Sequence, residues 1–182
     1  MTGWINLPNL FTLLRLILVP FVIQSILARR PVLALALFGA AAVTDVLDGA
    51  AARRLGLSTQ TGAYLDPIAD KCLLSGVHLA LATARFVPWW FVVIVFARDI
   101  YILIGVAAFM LFTDIRKFPP SVWGKVSTFV QIVTAVFCLS QNVLQLRVLD
   151  ALWPVILWLC VGFTAWSGLH YTWRGVQLAR AR

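Results

Sequence analysis

Four aspartates crowd into the stretch 44–71, TDVLDGAAARRLGLSTQTGAYLDPIADK: Asp45, Asp48, Asp66 and Asp70. They make up more than half of the 7 acidic residues in 182, and the chain contains no Glu. Asp45 and Asp48 are three apart; Asp66 and Asp70 are four apart. If each pair lies on a helix, its two carboxylates share one face. Carboxylates gathered in apolar sequence repel one another, so positive charge must sit among them. A donor set made only of oxygen suits Mg²⁺, Mn²⁺ or Ca²⁺ rather than zinc or copper. Such a cluster suits substitution at a phosphate. A cation neutralises the phosphate and polarises the phosphorus, and a carboxylate not fully committed to metal takes the proton of an attacking hydroxyl. The plain alternative is that the acids only pair helices in a membrane bundle, but intramembrane acids are functional by default.

The basic residues have candidate roles too. Arg15, one to two turns into an apolar run that opens with Pro8, Asn9 and Thr12, must snorkel or meet an anion. Arg53 closes the first acidic segment and is placed to meet a phosphate. Lys71 adjoins Asp70. Arg98 and Asp99 are adjacent within a span, and neighbours on a helix point in different directions. Arg98 is therefore a candidate for an acceptor phosphate or for pairing with another helix. Arg116, Lys117 and Lys125 cluster before the next apolar run. Lys125 opens that helix, GKVSTFVQ. His78 reads as a packed histidine and His170 as an interfacial one. Cys72, Cys138 and Cys160 form no CxxC and read as small buried hydrophobes.

The elements that must position these groups follow from hydropathy. The chain is 62% hydrophobic and 12% charged, with a mean hydropathy of +0.92. Soluble domains carry roughly 25% charge, so this reads as an all-α integral membrane protein forming one domain over 1–182. Six apolar runs, at 9–28, 32–53, 64–84, 89–112, 122–145 and 151–173, are each about the 20 residues a membrane helix needs. No internal repeat or linker divides them, and the N-terminus lacks the basic region of a cleavable signal.

Placing both termini in the cytoplasm puts Arg53, Arg54, Arg116, Lys117, Lys125, Arg174, Arg180 and Arg182 inside. Arg29, Arg30, Arg85 and Arg147 fall outside. The bias supports that orientation, although the Arg29–Arg30 pair argues the other way. It sets the acidic cluster near the cytoplasmic face of a membrane, which in a bacterium is the inner membrane. Trp89, Trp90, Trp123, Trp153, Tyr171 and Trp173 fall near the span ends. The net charge of +8 goes with anionic lipid and phosphate ligands rather than nucleic acid, because the bases flank apolar segments.

The run Asp45-x2-Asp48-Gly49-x2-Ala52-Arg53-x8-Gly62-x3-Asp66-x3-Asp70 resembles the signature of the CDP-alcohol phosphatidyltransferase family. All eight positions match over twenty-six residues. The resemblance implies an enzyme in which an alcohol attacks the β-phosphate of a CDP-linked lipid and CMP leaves. It implies Asp45, Asp48 and Asp66 as metal ligands, with Asp70 as general base and further ligand. The ions expected are Mg²⁺ or Mn²⁺, two of them. Gly49, Ala52 and Arg53 would line the CDP-lipid site together with Asp45, Asn9 and Thr12, and Gly62 would support close packing. Arg98, Lys125, Arg116, Lys117 and Arg15 are the candidates for the acceptor. A homodimer is also carried over from the family.

The segments ARDIYILIGVAAF and GKVSTFVQI resemble the glycerophospholipid branch, which holds phosphatidylglycerophosphate synthase and the mitochondrial type of cardiolipin synthase. Many of the former have a second lysine, GKxKT, where this chain has Ser127. That departure gives slight preference to phosphatidylglycerol as acceptor, with glycerol 3-phosphate as the alternative and an inositol phosphate as a minor third. A small transporter using intramembrane charges is the remote alternative from another class; the lack of a repeat and the intact signature stand against it. A non-catalytic lipid-binding subunit is a further reading, opposed by the intact acids.

Overall fold

The computed structural model describes residues 7–55, 60–112 and 122–180, with side chains described for residues 10, 12–44, 69–108, 111 and 122–177. All regular structure among them is helical. The six helices are α1 (Leu7–Leu27), α2 (Pro31–Leu55), α3 (Gln60–Thr83), α4 (Trp89–Phe112), α5 (Val122–Leu144) and α6 (Arg147–Arg180). Each coincides with one expected apolar run. The exception in extent is α6, which continues past the apolar stretch through Arg174 to Arg180. Backbone hydrogen bonding does not stop where hydropathy falls.

Among the described residues, three helical stretches are long and apolar enough to cross a membrane, namely Trp89–Ala108, Val122–Leu144 and Arg147–Gln177. Thr12–Leu27 and Pro31–Thr44 are shorter apolar segments. Large apolar side chains cover the outside, and several polar ones are enclosed in an otherwise apolar core. Leu103, Ile104, Leu111, Phe129, Trp158 and Leu169 lie open on the outside, while Arg15, Thr12, His78, Ser127, Gln131, Thr164 and Ser167 are buried. Exposed apolar surface on this scale marks a membrane-facing exterior.

The chain packs as two compact units. In the first, α1 packs against both α2 and α3. The turn from α1 to α2 is a Schellman cap. Arg29 adopts φ 54°, its N–H donates to the Ile26 carbonyl at 3.0 Å, and the Arg30 N–H donates to Ser25 at 2.9 Å. Pro31 then opens α2 at a position where its missing N–H costs nothing. The end of α3 repeats the device, with Arg85 at φ 62° and the Phe86 N–H on the Leu81 carbonyl at 2.8 Å.

Helices α1 and α3 run parallel, in a register fixed at three levels. Arg15 meets Asp70 near one end. Gly76 gives Ile23 room midway, since a Cβ there would lie 2.8 Å from Ile23 Cδ1. Arg29 donates to the Ala84 carbonyl at 3.2 Å at the other end and lies over the Phe86 ring.

The second unit holds α4, α6 and most of α5. Contacts Trp90–Trp158, Arg98–Ser167 and Tyr101–Thr172 advance together, so α4 and α6 are parallel. Trp123–Trp166, Ser127–Thr164 and Phe137–Trp153 advance in opposite senses, so α5 is antiparallel to α6. Trp89, Trp90 and Trp123 stand exposed in the first turns of their helices and Trp173 stands exposed late in α6. His78 is the packed histidine expected, with Nδ1 2.8 Å from the Leu74 carbonyl. Cys138 and Cys160 are buried, whereas Cys72 is exposed; Cys72 sits on the face of α3 turned away from the buried Leu73 and Val77.

Candidate active site

Asp45 and Asp48 lie in α2 with Gly49, Ala52 and Arg53, and Asp66 lies in α3 with Gly62 and Asp70. Continuous helix through both segments gives the carboxylate pairs the helical spacings on which the expected shared faces depend. Both helices pack on α1, and through Asp70 the acidic segment of α3 meets α1 directly. The side chains of Asp45, Asp48, Asp66, Gly49, Ala52, Arg53, Gly62 and Asn9 lie outside the described residues, as do Arg116 and Lys117 altogether.

Asp70 is the signature carboxylate whose side chain is described. Its side chain is 49% exposed, and its Oδ1 accepts a hydrogen bond from the Nη1 of Arg15, whose side chain is 0% exposed. Thr12, one turn before Arg15 on α1, is buried as well. The contact joins residues 55 apart in the chain. An enclosed guanidinium needs hydrogen-bonded or charged partners, and the planar fork of arginine holds a carboxylate in a defined orientation. Arg15 thus brings positive charge to one of the four acids, Asp70. Lys71, next along α3, is exposed.

Among the described residues no three metal-ligating side chains come together. The donor chemistry nevertheless fits a hard divalent cation, because the signature offers only carboxylate oxygens and the described one, Asp70, is open to solvent on one side.

The expected acceptor residues divide. Lys125 is exposed in the first turn of α5. Arg98 is mostly buried. Its Nη1 donates to Asp99 Oδ1 at 2.9 Å, and its Nη2 donates to Ser167 Oγ on α6. Adjacent helical residues diverge at Cβ, but the arginine stem is long enough to fold back onto Asp99. Ser127 is fully buried, with its hydroxyl 3.5 Å from that of Thr164. It belongs to a buried polar seam between α5 and α6 in which Thr134 also meets Cys160; Gln131, on α5, is buried as well. The signal for that seam was present in the sequence as polar residues at 127, 131 and 134, a helical period. Sequence reasoning weighs Ser127 only as a missing charge, and Gln131 and Thr134 carry no charge to draw attention.

Comparison with known proteins places residues 5–166 under the family model for CDP-alcohol phosphatidyltransferases. A Mycobacterium tuberculosis (strain H37Rv) protein named "Probable phosphatidylglycerophosphate synthase" is 38% identical over 135 residues, covering 70% of this chain and 63% of the relative. The chain thus matches just under two thirds of that relative's length. A Bacillus subtilis (strain 168) protein named CDP-diacylglycerol–glycerol-3-phosphate 3-phosphatidyltransferase is 33% identical over 181 residues, covering 91% of this chain and 93% of the relative. A protein of the same name from Shigella flexneri is 33% identical over 173 residues, covering 91% and 92%. These names fall on the glycerol 3-phosphate side of the branch, not on the phosphatidylglycerol side that Ser127 had slightly favoured. The buried position of Ser127 supplies a reason: its place in the α5–α6 seam says nothing about acceptor charge. With eight signature positions on two helices and the family match running through both units, the chain belongs to the CDP-alcohol phosphatidyltransferase family.

Proposed function

We propose that this protein transfers the phosphatidyl group of CDP-diacylglycerol to glycerol 3-phosphate, giving phosphatidylglycerophosphate and CMP. The observation that carries the reading is the Arg15–Asp70 pair: a solvent-accessible carboxylate of the signature, held by a buried arginine. The names of relatives matched over nine tenths of both chains favour the acceptor.

In the reaction a hydroxyl oxygen of glycerol 3-phosphate bonds to the β-phosphorus of the CDP-lipid. The phosphoanhydride bond breaks, and CMP leaves with its electron pair. Asp70 takes the hydroxyl proton. Arg15, for which an acceptor role was the sequence expectation, is assigned instead to hold Asp70 in the orientation for that transfer. Asp45, Asp48, Asp66 and Asp70 would hold the divalent ions, Mg²⁺ or Mn²⁺, whose chemistry when bound is to neutralise the diphosphate and polarise its phosphorus. Gly49 and Ala52 leave room for the nucleotide, with Arg53, Asn9 and Thr12 as its polar partners. Arg98, Lys125, Arg116 and Lys117 are the proposed partners of the acceptor phosphate, on charge and sequence position. The reading takes all six helices across a membrane, with both termini and the carboxylates on the cytoplasmic side, where nucleotide substrates are. A homodimer remains part of the proposal through the family.

The test is a radiolabel assay of purified protein with CDP-diacylglycerol and separate acceptors. CMP release with glycerol 3-phosphate, and phosphatidylglycerophosphate as product, is expected. Turnover with phosphatidylglycerol to cardiolipin, without use of glycerol 3-phosphate, would return the assignment to the cardiolipin type. No CMP release with any acceptor would remove the enzymatic reading.

A further inference from the structure

At the end of the first unit away from Asp70, a groove of about 430 Å³ runs between the C-terminal half of α1 and the N-terminal half of α2. Its walls are Phe21, Leu33 and Leu37, and its mouth carries Gln24 and Arg30. Phe21 and Leu33 are open to the outside. The Ser25 hydroxyl, also on the wall, is already used by the Phe21 carbonyl at 2.7 Å, so its side presents little polarity. The groove lies within the apolar segments Thr12–Leu27 and Pro31–Thr44.

Three arginines stand at the polar end. Arg29 has structural work, binding the Ala84 carbonyl and covering Phe86. That bond docks the Arg29–Arg30 turn onto the turn holding Arg85. The side chains of Arg30 and Arg85 are exposed and make no ion pair or hydrogen bond among the described residues. Arg30 therefore stands uncommitted on the groove, and Arg85 stands on the turn that Arg29 docks against. Fifteen residues of helix and turn separate Arg30 from Arg15, roughly 20 Å along α1, so the place is distinct from the carboxylates.

We propose that this groove is a docking site for an anionic phospholipid. Its phosphodiester lies on Arg30 and Arg85, and one acyl chain lies along Phe21, Leu33 and Leu37. Charge complementarity selects the headgroup, and an apolar wall continuous with the membrane-facing surface selects a lipid over a soluble phosphate. The site also accounts for the Arg29–Arg30 pair, which opposes the charge bias of the rest of the chain.

The experiment is native mass spectrometry of the intact protein, delipidated and then offered phosphatidylglycerol or phosphatidylcholine in equal amounts. Wild type should retain phosphatidylglycerol in preference. The double variant Arg30→Gln, Arg85→Gln should lose that preference by roughly fivefold per arginine removed. Leu37→Trp, which fills the groove without changing charge, should lower retention of the same lipid. Arg147→Gln, an exposed arginine at the start of α6, should leave retention as in wild type. Thermal melting of each variant separates lost binding from lost fold, and Leu37→Trp tests the site should the arginine variant be unstable. Equal retention of the two lipids by wild type overturns the proposal. So does unchanged retention in a folded groove variant, an Arg147→Gln loss equal to that of the double variant, or displacement of the lipid by inorganic phosphate alone.

Discussion

Replacing Arg15 by Met separates a positioning role from an acceptor-binding one. Met keeps an unbranched apolar stem in a site that is 0% exposed, and it removes the guanidinium from Asp70. Breaking a fully buried ion pair from one side costs about 3–5 kcal/mol, because the remaining charge is stranded. Here the remaining carboxylate is 49% exposed and keeps water. The loss should therefore lie near the lower end for a charge-assisted hydrogen bond, about 1.5 kcal/mol. For a chain of this size that lowers the melting temperature by only about 3–6 °C.

The catalytic effect should be larger than the stability effect. A base displaced by about 1 Å loses on the order of a hundredfold in rate, so kcat should fall ~10–100-fold with KM for both substrates held within about twofold. Arg15→Lys should recover part of that loss, since a point charge attracts the carboxylate without fixing its plane. The assay is CMP release in detergent, with glycerol 3-phosphate and CDP-diacylglycerol varied in turn. A second readout needs no turnover: Mn²⁺ binding followed by paramagnetic resonance should weaken if Asp70 is no longer held. An unchanged kcat, or a raised KM for glycerol 3-phosphate at normal kcat, would refute the positioning argument and return Arg15 to the acceptor.

Asp45→Asn, Asp48→Asn and Asp66→Asn should each abolish metal-dependent turnover, whereas Asp70→Asn should lower kcat by ~10²–10⁴ with CDP-lipid binding kept; a variant of the first three with near-normal rate leaves the ligand set. Ser127→Lys should place a cation in a site with no exposure beside Thr164, costing on the order of 3 kcal/mol. Melting should register that loss without any gain in glycerol 3-phosphate use, and a stable variant with better use would put Ser127 at the acceptor after all. Gly76→Ala needs only the tip of Ile23 to move and should cost under about 1 kcal/mol. Gly76→Phe should push α1 from α3 and lower kcat in the manner of Arg15→Met; normal kinetics in a folded Gly76→Phe would mean the α1–α3 contact does not set the site.

The sequence by itself determined the helices and the spacing of the acidic segment. Apolar runs long enough to span a bilayer leave the backbone no better option than internal hydrogen bonding, so α4 at Trp89–Phe112 coincides with its expected limits. The spacing of Asp45, Asp48, Asp66 and Asp70 is a local property that survives any arrangement of the helices. What hydropathy missed was local as well: the polar tail of α6, and the left-handed caps at Arg29 and Arg85, where glycine would be the usual residue.

Partner choice was decided only by tertiary structure. Nothing near Arg15 in sequence announces Asp70, because their meeting depends on the parallel register of α1 and α3, set in part by the space left at Gly76. Arg98 folding back onto Asp99 while reaching Ser167, and Ser127 closing on Thr164, depend likewise on how α4 and α5 seat against α6. Charge and residue type state what a side chain can bind. Which group comes within reach is fixed by the approach of helices, and a single sequence encodes that only through the summed packing of their faces.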